Sequence, residues 1–449
     1  MTLRPFGFSL IALGLLVVAC SSNDSQTFDR PEAAQSDVEA AEAAALEIAG
    51  GEELGGSVTM LGVLGGEELD AYKEVLAPFE AATGVEVQYE GTRDFAAVLQ
   101  TRVEGGNPPD IVSTPAIGEM AQLAEAGDLV DLRSVIGEEQ LAANFSPSML
   151  ETSSRDGELF GIFDTVNLGG LIWYNPQTYD GPTNPKSWAE LQAWAEQKAA
   201  DGETPWCVGL ESGAASGWPA SDFIDEILLR QAGPAFHQRW YEGTEPWTSP
   251  EVKRAFETYG EMVRDGMVYG DTTTVLSTNF AKAANPMFTD PPGCYLLEQA
   301  TFMGGIIADA FPNLEPGTDI EYFPAPDFDP NYPGIRSISG EIVGMLNQTP
   351  QSTALVKFLA TEEAGTLIAA SGRWLSPNQN VSSDAYLDPV LQKASRILAS
   401  AEGTYSLGNA LMPQTEVDAF WQAGLDYTEN PDDLDAIVQR IEAARSGTE

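Results

Sequence analysis

The chain has 449 residues, with 68 acidic against 22 basic side chains and a formal net charge of −46 at pH 7. Nucleic acid is excluded as a partner because phosphate binding needs clustered Lys and Arg, and a hydrophobic fraction of 43% excludes a wholly disordered chain. The length favours two or three domains. Salt screens such self-repulsion, so the charge fits a salt-loving or externally exposed protein. Lineage-wide compositional drift would give the same balance.

The first 20 residues have the features of a secretory signal. Arg4 supplies a positive charge, and residues 6–18 form an apolar run that is too short to span a bilayer comfortably. The run ends in Val-Val-Ala-Cys, which resembles a bacterial lipobox. We therefore expect residues 1–20 to be a lipoprotein signal peptide and Cys20 to carry the lipid, which would be the chain's sole contact with the membrane. The alternative is a plain signal peptide with an incidental cysteine.

The next segment is rich in Ser, Asp, Glu, Ala and Gly. We expect residues 21–56 to be a flexible tether, although residues 37–48 could form a short helix.

Strand and helix patterns alternate from Ser57 onward. Residues 57–63 alternate as a strand, an amphipathic helix follows through residue 79, and residues 85–90 alternate again. A second helix over 95–103 is broken by the Gly-Gly-Asn-Pro-Pro stretch, after which a short apolar strand at 110–113 precedes a helix at 117–125. This β-α-β-α-β order predicts a parallel sheet with helices on its faces.

Several longer stretches resemble one protein family. The stretches TGVEVQYEG (83–91), GGNPPDIV (105–112) and LFGIFDTVNLGGLIWYN (159–175), together with the lipobox and tether, resemble an extracellular solute-binding protein of a carbohydrate ABC importer, as in the maltose-binding proteins. The stretches PWCVGLESGAASGWP (205–219), PPGCYLLEQATF (291–302) and GRWLSPN (372–378) resemble the α-glucoside-binding subgroup.

The resemblance implies a fold, a function and a location. The fold would be α/β and of the two-lobed periplasmic-binding-protein type (type II), with a ligand cleft between lobes joined by hinge strands. Lobe 1 would comprise 57–165 and 303–370, and lobe 2 would comprise 166–302 and 371–449. The protein would be an extracytoplasmic monomer without cofactor, periplasmic or at the cell surface. It would capture an α-glucoside or related small oligosaccharide by hinge closure and deliver it to permease subunits.

Two cysteines remain after Cys20. Outside the cytosol an even pair indicates a disulfide, here Cys207–Cys294, with two separate buried thiols as the alternative. The subgroup resemblance implies the disulfide, because its cysteines occupy the same settings. The only histidine, His237, is expected to be a surface or satisfied helix residue, so neither a zinc site nor a Cys/His nucleophile is supported.

Carbohydrate binding needs aromatic rings for sugar C–H faces and polar side chains for hydroxyl groups. Ligands of open α/β sheets bind beyond the carboxyl ends of strands, so the loops 64–68, 91–94 and 114–118 should line one rim. Their candidate ligand residues are Glu67, Glu68, Arg93, Asp94 and Thr114. Ordinary first-turn acidity, an N-cap or an ion pair with a nearby acid are the alternative explanations for the charged ones.

Further candidates lie in lobe 2 and at the predicted crossings between lobes. Trp218 stands in a Gly/Ser/Pro-rich loop, which favours ligand stacking, whereas Trp173 lies in an apolar strand and is assigned to the core. A glycine at 340 would let the backbone approach a ligand. The full set of these candidates is Asn167, Glu211, Trp218, Gln299, Phe302, Gly340, Glu341, Arg373 and Trp374.

Two other functions remain as alternatives. A secreted glycoside hydrolase needs paired carboxylates, but 68 acids make chance pairs inevitable. No nucleophile elbow, zinc motif or phosphate-binding loop stands out in the sequence. The other alternative is a solute-binding protein for a ligand that is not a sugar.

Overall fold

A computed structural model describes residues 33–447. The predicted signal peptide, Cys20 and residues 21–32 of the predicted tether lie outside the described residues. The helices are α1 (Gln35–Ile48), α2 (Glu67–Thr83), α3 (Phe95–Glu104), α4 (Ile117–Ala126), α5 (Leu132–Ile136), α6 (Glu138–Asn144), α7 (Pro147–Thr152), α8 (Trp188–Ala200), α9 (Trp218–Ala232), α10 (Pro234–Tyr241), α11 (Pro250–Val263), α12 (Thr272–Ser277), α13 (Phe302–Ala310), α14 (Pro350–Leu359), α15 (Glu362–Ala370), α16 (Pro389–Ala399), α17 (Gln414–Glu429) and α18 (Leu434–Ser446). The strands are β1 (Ser57–Gly62), β2 (Glu86–Gly91), β3 (Ile111–Thr114), β4 (Ser154–Arg155), β5 (Glu158–Leu159), β6 (Ile162–Phe163), β7 (Asn167–Leu168), β8 (Leu171–Tyr174), β9 (Leu296–Gln299), β10 (Glu321–Pro324), β11 (Ile335–Ser339), β12 (Ile342–Met345) and β13 (Gly403–Ser406).

The first sheet has the order β2-β1-β3-β12-β6. Strands β1, β2 and β3 are parallel, as the alternating patterns predicted, whereas β12 joins β3 and β6 antiparallel. Helix α2 ends where Gly84 takes the left-handed conformation that glycine adopts without strain. We call the part of the chain built on this sheet lobe 1.

The second sheet has the order β10-β8-β9 and is antiparallel throughout. We call the part built on it lobe 2. The structure corrects one predicted boundary here, because the sequence prediction assigns all of residues 303–370 to lobe 1. Strand β10 pairs with β8, so the chain stays with lobe 2 for longer and joins the first sheet again only at β12.

Three chain segments cross between the lobes side by side. The first runs from β6 to β7 and the second from β11 to β12, while Leu375 on the third exchanges two 2.8 Å backbone hydrogen bonds with Val166 on the first. Strands β7, β11 and β13 form a small third sheet beside them. Gly340 is required here because a Cβ at this position would lie 2.1 Å from the carbonyl oxygen of Thr165. Crowded, hydrogen-bonded segments of this kind make a hinge whose position is well defined.

The apolar core is divided in the same way. Helices α1, α2, α5, α14 and α15 pack with the first sheet in one buried cluster, and α8–α11, α17 and α18 pack with β8 in another. A third cluster includes strand residues of both sheets and residues of α3, α4, α13 and α16. It also contains the buried ring of Trp173, which confirms the assignment of this residue to the core.

The N-terminal helix shows that the prediction of a flexible tether over residues 21–56 is wrong for part of that segment. Helix α1 packs against α2, α14 and α15, and Ala41 and Ala45 on its inner face have no exposed surface. Acidic and alanine-rich composition suggested a solvated link, but small apolar side chains spaced four residues apart also suit close helix packing. The described part of residues 21–56 is therefore mostly a docked helix.

Cys207 and Cys294 form the predicted disulfide, with their Cα atoms 5.5 Å apart. His237 is buried on α10, and its Nε2 lies 2.5 Å from Oδ1 of Asp225, so the expectation of a satisfied helix residue is confirmed. Within residues 33–447, no helix combines the length and apolar character needed to cross a membrane.

Candidate ligand-binding cleft

A cleft of about 1020 Å³ lies between the two lobes. The three loops that follow β1, β2 and β3 all line it, as predicted from the carboxyl-end rule. Ten of the fourteen predicted ligand residues line this cleft: Glu68, Arg93, Asp94, Thr114, Asn167, Trp218, Phe302, Gly340, Glu341 and Trp374.

Lobe 2 contributes an aromatic wall. Trp218 at the start of α9 lies 5.1 Å from the ring of Phe280 and 6.0 Å from the ring of Phe302, measured between centroids. All three rings line the cleft. Pro219 follows Trp218 in the first turn of α9, where its missing N–H costs no helical hydrogen bond. Trp218 is only partly buried, so part of its ring stays available to a ligand.

Lobe 1 contributes an ion pair at the opposite side. Nη2 of Arg93 lies 3.2 Å from Oε2 of Glu68, and the guanidinium carbon lies 5.7 Å from the centroid of Phe280. Arg93 thus reaches across the cleft to the aromatic wall. Burial raises the pKa of Glu68, and the charge of Arg93 opposes that shift. Asp94 is at the N-cap position of α3, but its side chain makes no capping hydrogen bond.

The floor of the cleft, at the crossing segments, holds a buried carboxyl group. Burial, with smaller contributions from the charges of Asp164 and Glu68, raises the pKa of Glu341 to about 8. Its Oε2 is buried without a hydrogen-bond partner among the described residues. A carboxyl group in this state is protonated at neutral pH and can donate a hydrogen bond, which an ionised carboxylate cannot do.

Asn167 and Trp374 complete the floor. Oδ1 of Asn167 accepts a 3.0 Å hydrogen bond from the hydroxyl of Thr301, which leaves the amide nitrogen for a ligand. The ring of Trp374 is 2% exposed and packs edge-on against Tyr72 at 6.2 Å. Trp374 therefore contributes an edge to the cleft and not an open stacking platform.

Four predicted ligand residues do not line the cleft. Glu67 is exposed at the first position of α2. Glu211 accepts hydrogen bonds from Nδ2 of Asn279 at 2.7 Å and from the backbone of Gly213 at 2.8 Å, so its carboxylate orders the loop before α9.

The other two are buried in packing roles. The side chain of Gln299 accepts a 3.2 Å hydrogen bond from the backbone of Ala300. Arg373 is 2% exposed, with Nη2 only 2.5 Å from Oδ2 of Asp309. Gly340 lines the cleft, but its close neighbour is the Thr165 backbone and not an open space for ligand.

Sequence reasoning missed several lining residues. Asp222 stands four positions after Trp218 on α9, and that helical spacing was a usable signal. Burial raises the pKa of Asp222 to about 7 against the hydrogen bond that it accepts from Asn409. Phe280 and Asn409 lie in short turns far along the chain, where no local pattern marks them.

One more titratable group lines the cleft. Burial, and then the charge of Asp418 on α17, raise the pKa of Glu119 on α4 to about 7. No group of three or more His, Cys, Asp or Glu side chains within residues 33–447 is arranged to hold a metal ion.

Comparisons with known proteins identify relatives of this chain. The family model of the bacterial extracellular solute-binding proteins matches residues 65–366 of this sequence. The osmoprotective compounds-binding protein GgtB of Synechocystis sp. is 34% identical over 84% of this chain and 90% of its own length. The α-glucosides-binding periplasmic protein AglE of Rhizobium meliloti is 31% identical over 86% and 87%, respectively.

The fold has close structural neighbours as well. A solved chitin oligosaccharide binding protein superimposes with a TM-score of 0.73, at 18% identity, over 87% of this chain and 98% of its own. This likeness confirms the two-lobed α/β fold that the motifs predicted. The chain belongs to the bacterial extracellular solute-binding protein family, and that membership indicates an extracytoplasmic location for its folded part.

Proposed function

We propose that this chain is the binding protein of a carbohydrate ABC importer, with an α-glucoside or a related small oligosaccharide as its ligand. The names of GgtB and AglE support an osmoprotectant or α-glucoside ligand class. The ligand would be handed to permease subunits after capture. The protein would bind without turnover, as a monomer and without a cofactor.

The observation that carries the proposal is the pairing of an aromatic wall with hydrogen-bonding groups across one cleft. Trp218, Phe280 and Phe302 offer ring faces to sugar C–H groups, while Glu68 and Arg93 offer an acceptor and donors to hydroxyl groups. A sugar presents both kinds of surface, whereas a purely apolar or purely ionic ligand would leave half of the cleft unmatched.

The floor adds a second type of polar contact. A protonated Glu341 donates to an acceptor oxygen of the ligand, such as a ring or glycosidic oxygen, whereas Glu68, which forms an ion pair with Arg93, accepts from a hydroxyl group. The two carboxyl groups therefore read opposite hydrogen-bond polarity.

Capture would proceed by closure of the lobes about the three crossing segments. Closure removes water from between the aromatic wall and the carboxyl groups, which strengthens each polar contact with the ligand. A permease could then distinguish the closed from the open form by shape.

We further propose that Cys20 carries a lipid anchor that holds the protein at the membrane surface. The support is the sequence alone, where the apolar run, the small residue and the cysteine follow one another. Mass spectrometry of the protein from membranes would detect the lipid on a chain that begins at Cys20. A chain cleaved elsewhere and recovered only from the soluble fraction would contradict the anchor.

The proposal is tested by calorimetric titration of the chain lacking residues 1–20, in moderate and in molar salt. Maltose, trehalose, sucrose, glucosylglycerol and glucose are the ligands, and each mixture is then assayed for hydrolysis. We expect one of the glucosides to bind without turnover. Trp218→Ala should weaken that binding about tenfold or more, because stacking is lost.

Trp194→Ala is the matched control, because Trp194 is also partly buried but lies on α8 outside the cleft. It should leave affinity unchanged. If both substitutions lower the affinity equally, the ligand does not bind specifically against Trp218. If none of the five sugars binds at either salt concentration, the α-glucoside assignment is refuted. Hydrolysis of a sugar in the mixture would favour a hydrolase instead.

A further inference from the structure

One contact between the two lobes lies beside the cleft, at Gly118. This residue is the second of α4 in lobe 1, and its neighbours across the cleft are Leu411 and Met412 in lobe 2. A Cβ atom at position 118 would lie 2.2 Å from the carbonyl oxygen of Met412. It would also lie 2.8 Å from the carbonyl carbon and oxygen of Leu411. These are backbone atoms, which cannot rotate out of the way as a side chain could.

Helix formation does not explain a glycine here. Gly118 has no positive φ, so any L-residue could adopt its backbone conformation. Alanine would favour the helix by roughly 0.5–1 kcal/mol over glycine. The absence of a side chain therefore serves the contact with Leu411 and Met412.

Both sides of the contact are held firmly to their own lobes. On the lobe 2 side, the backbone N–H of Asn409 donates to Asp225 at 2.8 Å, and its side-chain amide donates to Asp222 at 2.7 Å. On the lobe 1 side, α4 is anchored by Met120, which is fully buried beneath the first sheet at Gly344. Because each backbone is anchored in its own lobe, their contact limits how closely the lobes can approach at this point.

The contact also borders the ligand space without entering it. Ala116 and Glu119 on either side of Gly118 line the cleft, as do Asn409 and Met412 opposite, whereas Gly118 itself does not. A side chain at position 118 that holds these backbones apart therefore widens the cleft without changing any residue that lines it.

We propose that the Gly118 contact sets how far the lobes close, and that ligand affinity depends on it although Gly118 does not touch the ligand. The dependence of affinity rests on the proposed function, and the dependence of lobe separation does not. A side chain at 118 shifts the protein from the closed to a more open arrangement. Apparent affinity then falls in proportion to the fraction of molecules that can still close.

The test uses Gly118→Ala and Gly118→Val. Spin labels on cysteines replacing Glu74 of α2 and Glu257 of α11, both exposed, report the distance between the lobes by pulsed electron paramagnetic resonance. Without sugar, we expect both variants to shift the distance distribution to longer values than the parent, and Val more than Ala. With the sugar that the parent binds, we expect the affinity of Gly118→Val to be about tenfold lower. This is the loss expected if the fraction of molecules that can close falls about tenfold.

Gly260→Ala is the matched control. Its added Cβ would lie 2.7 Å from the hydroxyl of Tyr427, which is a clash inside lobe 2 alone. This variant should lower the unfolding midpoint while leaving both the interlobe distance and the affinity at parent values. Gly118→Ala should not lower the midpoint, because alanine favours the helix.

Unchanged interlobe distances in Gly118→Val without sugar would overturn the proposal, whether or not any sugar binds. If all five sugars fail to bind to the parent, the proposed ligand is wrong, and the distance measurement still decides the role of Gly118. A longer distance with unchanged affinity would overturn the dependence of affinity on the contact.

Discussion

The hydroxyl of Tyr72 on α2 donates a 2.5 Å hydrogen bond to Oδ2 of Asp164, which lies on the first segment that crosses between the lobes. Both residues are buried, and the ring of Tyr72 also packs against Trp374 on the third crossing segment. One lobe 1 side chain therefore contacts two of the three crossing segments. The hinge is fixed to lobe 1 at this end.

Tyr72→Phe should destabilise the protein by about 1–3 kcal/mol, because Asp164 would remain buried without this donor. The other oxygen of Asp164 already has no partner among the described residues. Urea unfolding followed by tryptophan fluorescence at neutral pH measures the loss. Tyr405→Phe removes a hydroxyl from a side chain that is 36% exposed and should change stability little. Similar losses in the two variants would refute the role of the Tyr72 hydrogen bond.

Stability should fall as the pH rises from about 5 to about 8. Burial is the main cause that raises the pKa of Asp164 to about 7 and that of Glu341 to about 8. In this interval the folded protein holds protons that the unfolded chain has released, so each step up in pH favours unfolding. Unfolding free energies across the interval measure the slope.

Asp164→Asn should flatten part of that slope, because an amide does not titrate. Asp271→Asn is the control, since the pKa of Asp271 is lowered by hydrogen bonds from Thr274 and its carboxylate is ionised throughout the interval. A slope that Asp164→Asn leaves unchanged would show that other groups carry the pH dependence.

Glu119→Gln should raise stability more at about pH 8 than at about pH 5. Burial and the charge of Asp418 disfavour the ionised form of Glu119, and its Oε2 has no partner among the described residues. The neutral amide removes this penalty where the parent carboxyl ionises. Thermal unfolding at the two pH values provides the comparison. A gain of equal size at both would mean that packing, and not ionisation, is responsible.

Arg373→Ala should destabilise the protein by about 3–5 kcal/mol without weakening ligand binding to the folded fraction. The guanidinium is buried against Asp309 and does not line the cleft. Chemical unfolding gives the stability, and calorimetry gives the affinity. In the control Arg155→Ala, the lost ion pair with Glu125 is exposed, so the change should stay within about 1 kcal/mol. Loss of affinity at full stability would instead make Arg373 a ligand contact.

Replacing both Cys207 and Cys294 by Ser should cost about 2–5 kcal/mol, as expected for a long closed loop. The disulfide joins positions 87 residues apart and ties the segment before α9 to the start of β9. Unfolding of the parent in dithiothreitol should reproduce the loss. A double variant that is as stable as the oxidised parent would contradict a stabilising role.

Much of lobe 1 could be predicted from the sequence because its signals are local. Residues 57–125 show strand alternation, helical spacing and turn residues in order, and the parallel pairing of β1 with β2 and β3 follows from them. The rim loops follow from the same pattern, so local sequence signals are enough to assign Glu68 and Arg93 to the cleft.

The features that the sequence did not predict depend on neighbours far along the chain. Arg373 stands in a Gly/Ser/Pro-rich stretch that resembles an open loop, yet Asp309 on α13 covers it. The pairing of strand β10 could not be predicted from local patterns, because its partner β8 lies about 150 positions earlier in the chain. Phe280 completes the aromatic wall from a turn without any local pattern.

The docking of α1 determines which lobe holds the N-terminal end of the described chain. Because α1 packs on α2, α14 and α15, the N-terminal end of the described chain belongs mechanically to lobe 1. A lipid at Cys20 would hold lobe 1 near the membrane, with only a short stretch of chain between them. Lobe 2 would then be the part that moves during opening and closing, and a neighbouring permease would meet lobe 1 in a nearly constant position.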